Sequence, residues 1–195
     1  KNSSTQVVSQ IFKYDGGIET NLTNDLTYNY WWVRVSADKT KFLCYRSPKV
    51  NNNYLDNKSN DYANADLMVF NIDGTNPKVI IQKGKYGWSE QGVAKFSPDG
   101  TKILMAALCT DPARGSNDLH WRLVITDING NNPKIISTRN SLFADPAWSP
   151  DGKKIVYVTL PPGMLIGYQD QFELYATYYN ATTKEIKNEI LLTND

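Results

Sequence analysis

Three stretches of the chain share one pattern of apolar and polar positions and superpose without gaps: VRVSADKTKFLCY from Val33, AKFSPDGTKILMA from Ala94 and PAWSPDGKKIVYV from Pro146. Each has an apolar residue (Val35, Phe96, Trp148) just before a serine, and an aspartate (Asp38, Asp99, Asp151) two positions after that serine. A lysine (Lys41, Lys102, Lys154) and an apolar run then follow. In Ser-Pro-Asp-Gly, proline presets φ, aspartate bonds the backbone ahead of it, and glycine accepts the positive φ that closes a hairpin. The first copy carries Ala37-Asp38-Lys39 instead, a worn version of the same turn. A second hairpin alternates with the first: DLMVFNIDGTNPKVII from Asp66 matches WRLVITDINGNNPKIIS from Trp121 through a shared Gly-x-Asn-Pro-Lys core. Looser relatives lie at the two ends, and both finish on Leu-Thr-Asn-Asp (Leu22 to Asp25, Leu192 to Asp195).

With the first hairpin as strands a and b and the second as c and d, the chain reads c-d, then a-b-c-d three times. The turn aspartates lie 61 and 52 residues apart, more than the roughly 40–45 residues of a WD-type blade. The excess falls at one corner, between strands b and c: Ser47 to Ala65, Cys109 to His120 and Leu160 to Phe172. Four-stranded antiparallel units with insertions at a fixed corner predict an all-β fold of propeller blades. The expected division is a half blade over 1–25 and blades over 26–84, 85–138 and 139–195. The unmatched c-d pair comes first and its a-b partners would precede Lys1, so about three and a half blades of a larger propeller are expected. Other chains or further segments would complete the ring. The chain begins without a methionine or a visible signal peptide, so sequence upstream of Lys1 is also expected.

FSPDGTKI and WSPDGKKI, each followed by a strand and an Asp-Ile-(Asp/Asn)-Gly-type turn, resemble the TolB-like β-propeller repeats of bacterial envelope proteins. The resemblance runs through nearly the whole chain and is specific for fold rather than for function. It implies a periplasmic or cell-surface location. Related propellers serve as protein-docking modules, as substrate-filtering domains of prolyl-oligopeptidase-like enzymes, as sugar-acid lyases and as parts of multihaem proteins.

Composition narrows the choice. The formal net charge of the 195 residues is +1, from 21 basic and 20 acidic side chains, which gives no electrostatic footprint for nucleic acid. No apolar run approaches the roughly 18 residues that a membrane-spanning helix needs. Cys44 and Cys109 lack a Cys-x-x-Cys partner; buried thiols in strands are expected, with a disulfide between them as the alternative. No cofactor or metal site is expected, since His120 is the sole histidine.

Gly87-Trp88-Ser89-Glu90-Gln91 is close to Gly-x-Ser-x-Gly, the turn that raises a catalytic serine in α/β-hydrolases. Gln91 takes the place of the second glycine, and the residues after it, Val93 to Phe96, read as a strand where the elbow requires a helix. The stretch therefore reads as a junction between blades. Antiparallel strands put the d-to-a and b-to-c connections on one face of the disc, with every long insertion. The terse turns lie on the other face. Binding on a rigid scaffold concentrates in such loops, which gives as candidates Tyr28, Tyr30, Trp31, Trp32, Trp88, Glu90, Gln91, Arg114, His120 and Tyr168. Aromatics among Asn, Gln and Arg suit a protein hot spot or a glycan. The same aromatics also suit wedging blade against blade, and adjacent Trp31 and Trp32 should point to opposite sides of their strand. The expectation is a non-enzymatic module that binds a protein or glycan partner; the alternative is the propeller of a larger enzyme whose catalytic part lies elsewhere.

Overall fold

The computed structural model describes residues 8–48, 65–111, 116–137, 143–161 and 172–193. It is all-β, with antiparallel strands in four sheets. A two-stranded hairpin comes first, β1 (Phe12–Asp15) and β2 (Ile18–Asn21). The first four-stranded sheet follows in sequence order: β3 (Tyr28–Val35), β4 (Lys41–Pro48), β5 (Asp66–Asn71) and β6 (Lys78–Ile81). The second holds β7 (Glu90–Gln91) and β8 (Lys95–Phe96), both paired to β9 (Lys102–Asp111), then β10 (Ser116–Asp127) and β11 (Lys134–Ile135). The third is β12 (Phe143–Trp148), β13 (Lys154–Thr159), β14 (Glu173–Asn180) and β15 (Glu185–Leu191). This is the order that the alternating hairpins predict.

The serine turns close by one repeated device. Ser36, Ser97 and Ser149 each donate a hydroxyl hydrogen bond of 2.6 Å to the aspartate two residues on. Each serine Oγ also accepts from the backbone N–H of Lys41, Lys102 or Lys154. Gly100 and Gly152 take φ of 69°, and Lys39 takes 57° in the worn copy. The turn survives the loss of its glycine because the serine and the aspartate still hold it.

Apolar faces of neighbouring sheets meet in two seams. Leu43, Tyr45 and Leu67 of the first sheet pack with Ile103, Met105 and Val124 of the second. Leu104, Leu123 and Ile125, on the opposite face of the second sheet, pack with Phe143, Ile155 and Tyr157 of the third. The outer turns also abut the preceding unit. A Cβ added at Gly130, in the β10–β11 turn, would lie 2.3 Å from the Ile80 carbonyl oxygen, and one at Gly74 would lie 2.7 Å from that of Leu22.

One expectation fails in β3. Trp31 and Trp32 do not point to opposite sides; both pack against the cluster between the first and second sheets. The register shifts between Trp31 and Arg34, and Trp32 adopts a φ of 55°. This bulge cancels the two-residue alternation. β12 shifts register between Ala144 and Ala147, at Asp145 with φ of 44°, and the second sheet splits its inner strand into β7 and β8 at the matching place.

Candidate functional site

Residues at the loop-bearing ends of the first and second sheets build the candidate site. Gln91, Ala107 and Arg122 stand in one row across β7, β9 and β10, so their side chains share a face. Cys109 and His120 form the next row on that face, nearer the loops. It is the face that meets the first sheet, since Ala107, Cys109 and Val124 lie in the seam with Tyr45 and Leu67. Tyr45 ties the sheets together by donating its hydroxyl to the Gly92 carbonyl at 2.5 Å. Ser47, two residues further along β4 on the same face, is buried as well.

This seam end is polar where the rest is dry. Arg122 is fully buried and donates Nε–H to the Cys109 carbonyl at 3.1 Å. Ser47 Oγ, Gln91 Oε1 and His120 Nδ1 are all buried without a hydrogen-bond partner among the described residues. Cys44 and Cys109 are free thiols, and burial pushes them up to about 12 and about 11, far from a reactive thiolate.

A second group ties the strand ends of the first sheet. The Arg46 guanidinium lies 4.3 Å from the centre of the Tyr28 ring, and its Nε is 3.3 Å from Asp66 Oδ2. Asp66 Oδ1 accepts the Lys83 N–H at 3.0 Å. One ion pair therefore joins the beginning of β3, the ends of β4 and β6, and the beginning of β5.

The structure sorts the sequence candidates. Tyr28, Trp31, Trp32 and His120 are partly exposed. Tyr30 and Trp88 lie in the core, Tyr30 edge-on to Phe70 and Trp88 in contact distance of Tyr86, so both shape the face from beneath. Gln91 is buried in the polar row, and Glu90 contributes its backbone to β7 opposite Leu108. Arg114 and Tyr168 lie outside the described residues, as do most of the insertions between strands b and c. Ser89 donates its N–H to the Leu108 carbonyl at 2.9 Å and leads directly into β7. A strand stands where a nucleophile elbow has a helix. Sequence reasoning missed Ser47 and Arg122; an arginine within the apolar run LHWRLVIT was the available signal.

Sheets of four antiparallel strands, turned about shared seams and linked by a repeated serine–aspartate hairpin, define a β-propeller. No protein-family model matches the chain. The Tol-Pal system protein TolB of Blochmanniella pennsylvanica is 35% identical over 100 residues, 46% of this chain and 22% of that protein. Among solved structures, a putative TolB from Agrobacterium tumefaciens superposes with a TM-score of 0.59 at 14% identity, covering 94% of this chain and 58% of that one. An oligogalacturonate lyase from Vibrio parahaemolyticus superposes at 0.65 and 17% identity, covering 95% and 48%. The chain thus spans about a fifth of the curated relative and about half of each of these structures. By its fold the chain is a β-propeller, and its repeats are similar to those of TolB proteins.

Proposed function

We propose that this chain is a non-enzymatic binding module of the bacterial periplasm that docks a protein partner on its loop-bearing face. The observation that carries the reading is the polar end of the seam between the first and second sheets. Three buried atoms there, on Ser47, Gln91 and His120, have no partner among the described residues, and each such group costs stability that a pure scaffold has no reason to spend. Trp31 and Trp32 pack on that seam and supply the aromatic surface of a hot spot. The curated relatives bear the name of Tol-Pal system proteins, which supports a protein partner and a periplasmic location. A second reading rests on the likeness to the lyase: the propeller would then belong to a larger enzyme.

The test is a set of variants in one binding assay against periplasmic extract. His120→Ala and Trp31→Ala should each weaken capture of a defined partner by about tenfold, the loss expected of a hot-spot truncation. Lys13→Ala, on the first hairpin, should leave capture intact. Turnover of an ester, peptide or oligosaccharide that is abolished by Ser89→Ala or His120→Ala would overturn the reading and favour the enzyme.

A further inference from the structure

The turn-bearing face holds a groove of about 560 Å³ at the seam between the second and third sheets, a volume in the range of small-ligand sites. Pro98 and Asp99 form one wall, Trp148 and Tyr179 line it, and Asn180 and Lys187 stand on the other side. Trp148 and Tyr179 meet edge to face at 5.0 Å. Among the described residues, neither Trp148 Nε1 nor the Tyr179 hydroxyl, both buried, has a hydrogen-bond partner, and Tyr179 is only 7% exposed.

The repeat itself shows that this seam is altered. Lys102 and Lys154 are equivalent, and they pair with Asp127 and Tyr178; Ile128 therefore corresponds to Tyr179. The serine hairpins likewise make Phe96 equivalent to Trp148. At the first seam Phe96 and Ile128 seal the contact with apolar atoms alone, and Gly130 lets the turn close onto Ile80. At the second seam both apolar residues become aromatics carrying a polar handle, and the β14–β15 hairpin runs two residues further before it turns, so that Ala181 lines the groove. Packing gains nothing from two buried donors without acceptors. A local rule broken without a structural return marks a functional position.

We infer that this groove binds a neutral sugar unit, as a monosaccharide or disaccharide of a glycan. The charges nearly balance: Lys102, Lys153 and Lys187 against Asp99 and Asp151. A strongly charged ligand gains little there. Asp151 accepts the Ser149 hydroxyl and the Lys153 N–H, Asp99 accepts the Ser97 and Thr101 hydroxyls and the Thr101 N–H, all on Oδ1, and each carboxylate keeps lone pairs for further donors. Fixed donors and fixed acceptors therefore alternate around an aromatic wall. A hydroxylated ring both donates and accepts at each position and offers an apolar face, and ordered water under it completes the Trp148 and Tyr179 donors.

Titration of the whole chain with N,N′-diacetylchitobiose, cellobiose and lactose, followed by calorimetry and by tryptophan fluorescence, tests the assignment. At least one of these sugars should bind. Tyr179→Phe keeps ring and packing, so it should weaken binding about tenfold, as loss of one water-mediated hydrogen bond to the ligand does, while the thermal midpoint holds or rises; Trp148→Phe should weaken binding as well and lower the midpoint through the volume it removes. Lys187→Ala, at an exposed position, should weaken it in the same direction, and Tyr14→Ala on the first hairpin should not. If none of the sugars binds, if the Phe variants bind as the parent does, or if an acidic peptide binds the groove and the sugars do not, the assignment is wrong.

Discussion

The Asp99 carboxyl, held down to about 2, shows how single residues carry the repeat. The Ser97 hydroxyl is the largest cause, the Thr101 backbone N–H adds to it, and partial burial works the other way. Asp38 is held to about 2 by the matching Ser36 bond. Because the folded value lies below the ordinary 3.8, this contribution to stability is fully present above that pH. It is lost as pH falls through about 2. Asp99→Asn should therefore lower the urea midpoint near neutral pH, and the gap to the parent should close on acidification between 3.8 and about 2. A gap independent of pH would show that the carboxylate charge does not matter to the turn. These turns were legible because their chemistry is local: serine, aspartate and glycine solve the backbone problem within six residues. The tryptophans were not. Whether Trp31 and Trp32 alternate depends on a bulge set by pairing to β4, and their own letters carry no sign of it. Trp32 holds a left-handed conformation at an ordinary cost of about 1–2 kcal/mol, tolerated because its ring packs edge-on against Tyr45 at 5.7 Å.

Elements contact one another through turns as well as through faces, and that level was only half visible in the sequence. The order of hairpins followed from period and turn residues, and the face carrying the long connections followed from antiparallel topology. Close approach of a turn to the preceding sheet leaves no such trace, because glycine in Gly-x-Asn-Pro is already explained by its positive φ. At Gly130 both demands coincide: φ is 72°, and a Cβ would meet Ile80 O, Cγ1 of Ile81 and Ile80 C, all within 2.8 Å. Gly130→Ala should cost about 2–4 kcal/mol, from a strained backbone together with forced repacking of the β6 strand. Gly16→Ala, at φ of 55° with open space around it, should cost only the backbone share. Chemical denaturation of the two variants separates the terms; equal losses would mean that the turn yields freely and the seam is not close-packed there. The same comparison explains why the groove beside Tyr179 escaped notice. It arises from two substitutions at equivalent repeat positions and a longer β14–β15 hairpin, visible only after the strand register aligns Ile128 with Tyr179.

At the scale of the whole molecule, each seam has an apolar face on both sides, and the units at either end of the described array have one face without a neighbouring sheet. On the first hairpin Phe12, Tyr14 and Ile18 are exposed, Tyr14 by 76%. On the third sheet Tyr178, Ile190, Leu191 and Leu192 are exposed. Burying about half of such a set recovers roughly 25 cal/mol for every Å² of apolar surface removed from water, so contact between these surfaces is favourable whenever geometry allows it. Among the described residues no strand pairing joins the hairpin β1–β2 to the sheet β12–β15, and both carry exposed apolar side chains that a second copy would cover. A polypeptide of these 195 residues is therefore expected to associate reversibly as its concentration rises. Ile190→Lys together with Leu192→Lys should shift that equilibrium toward monomer without lowering the thermal midpoint, since both positions are exposed and charged residues at such surfaces oppose edge-to-edge association. Sedimentation velocity over a broad concentration range decides the matter: a parent chain that stays monomeric throughout, or a double variant that associates as strongly as the parent, would show that these surfaces do not drive assembly.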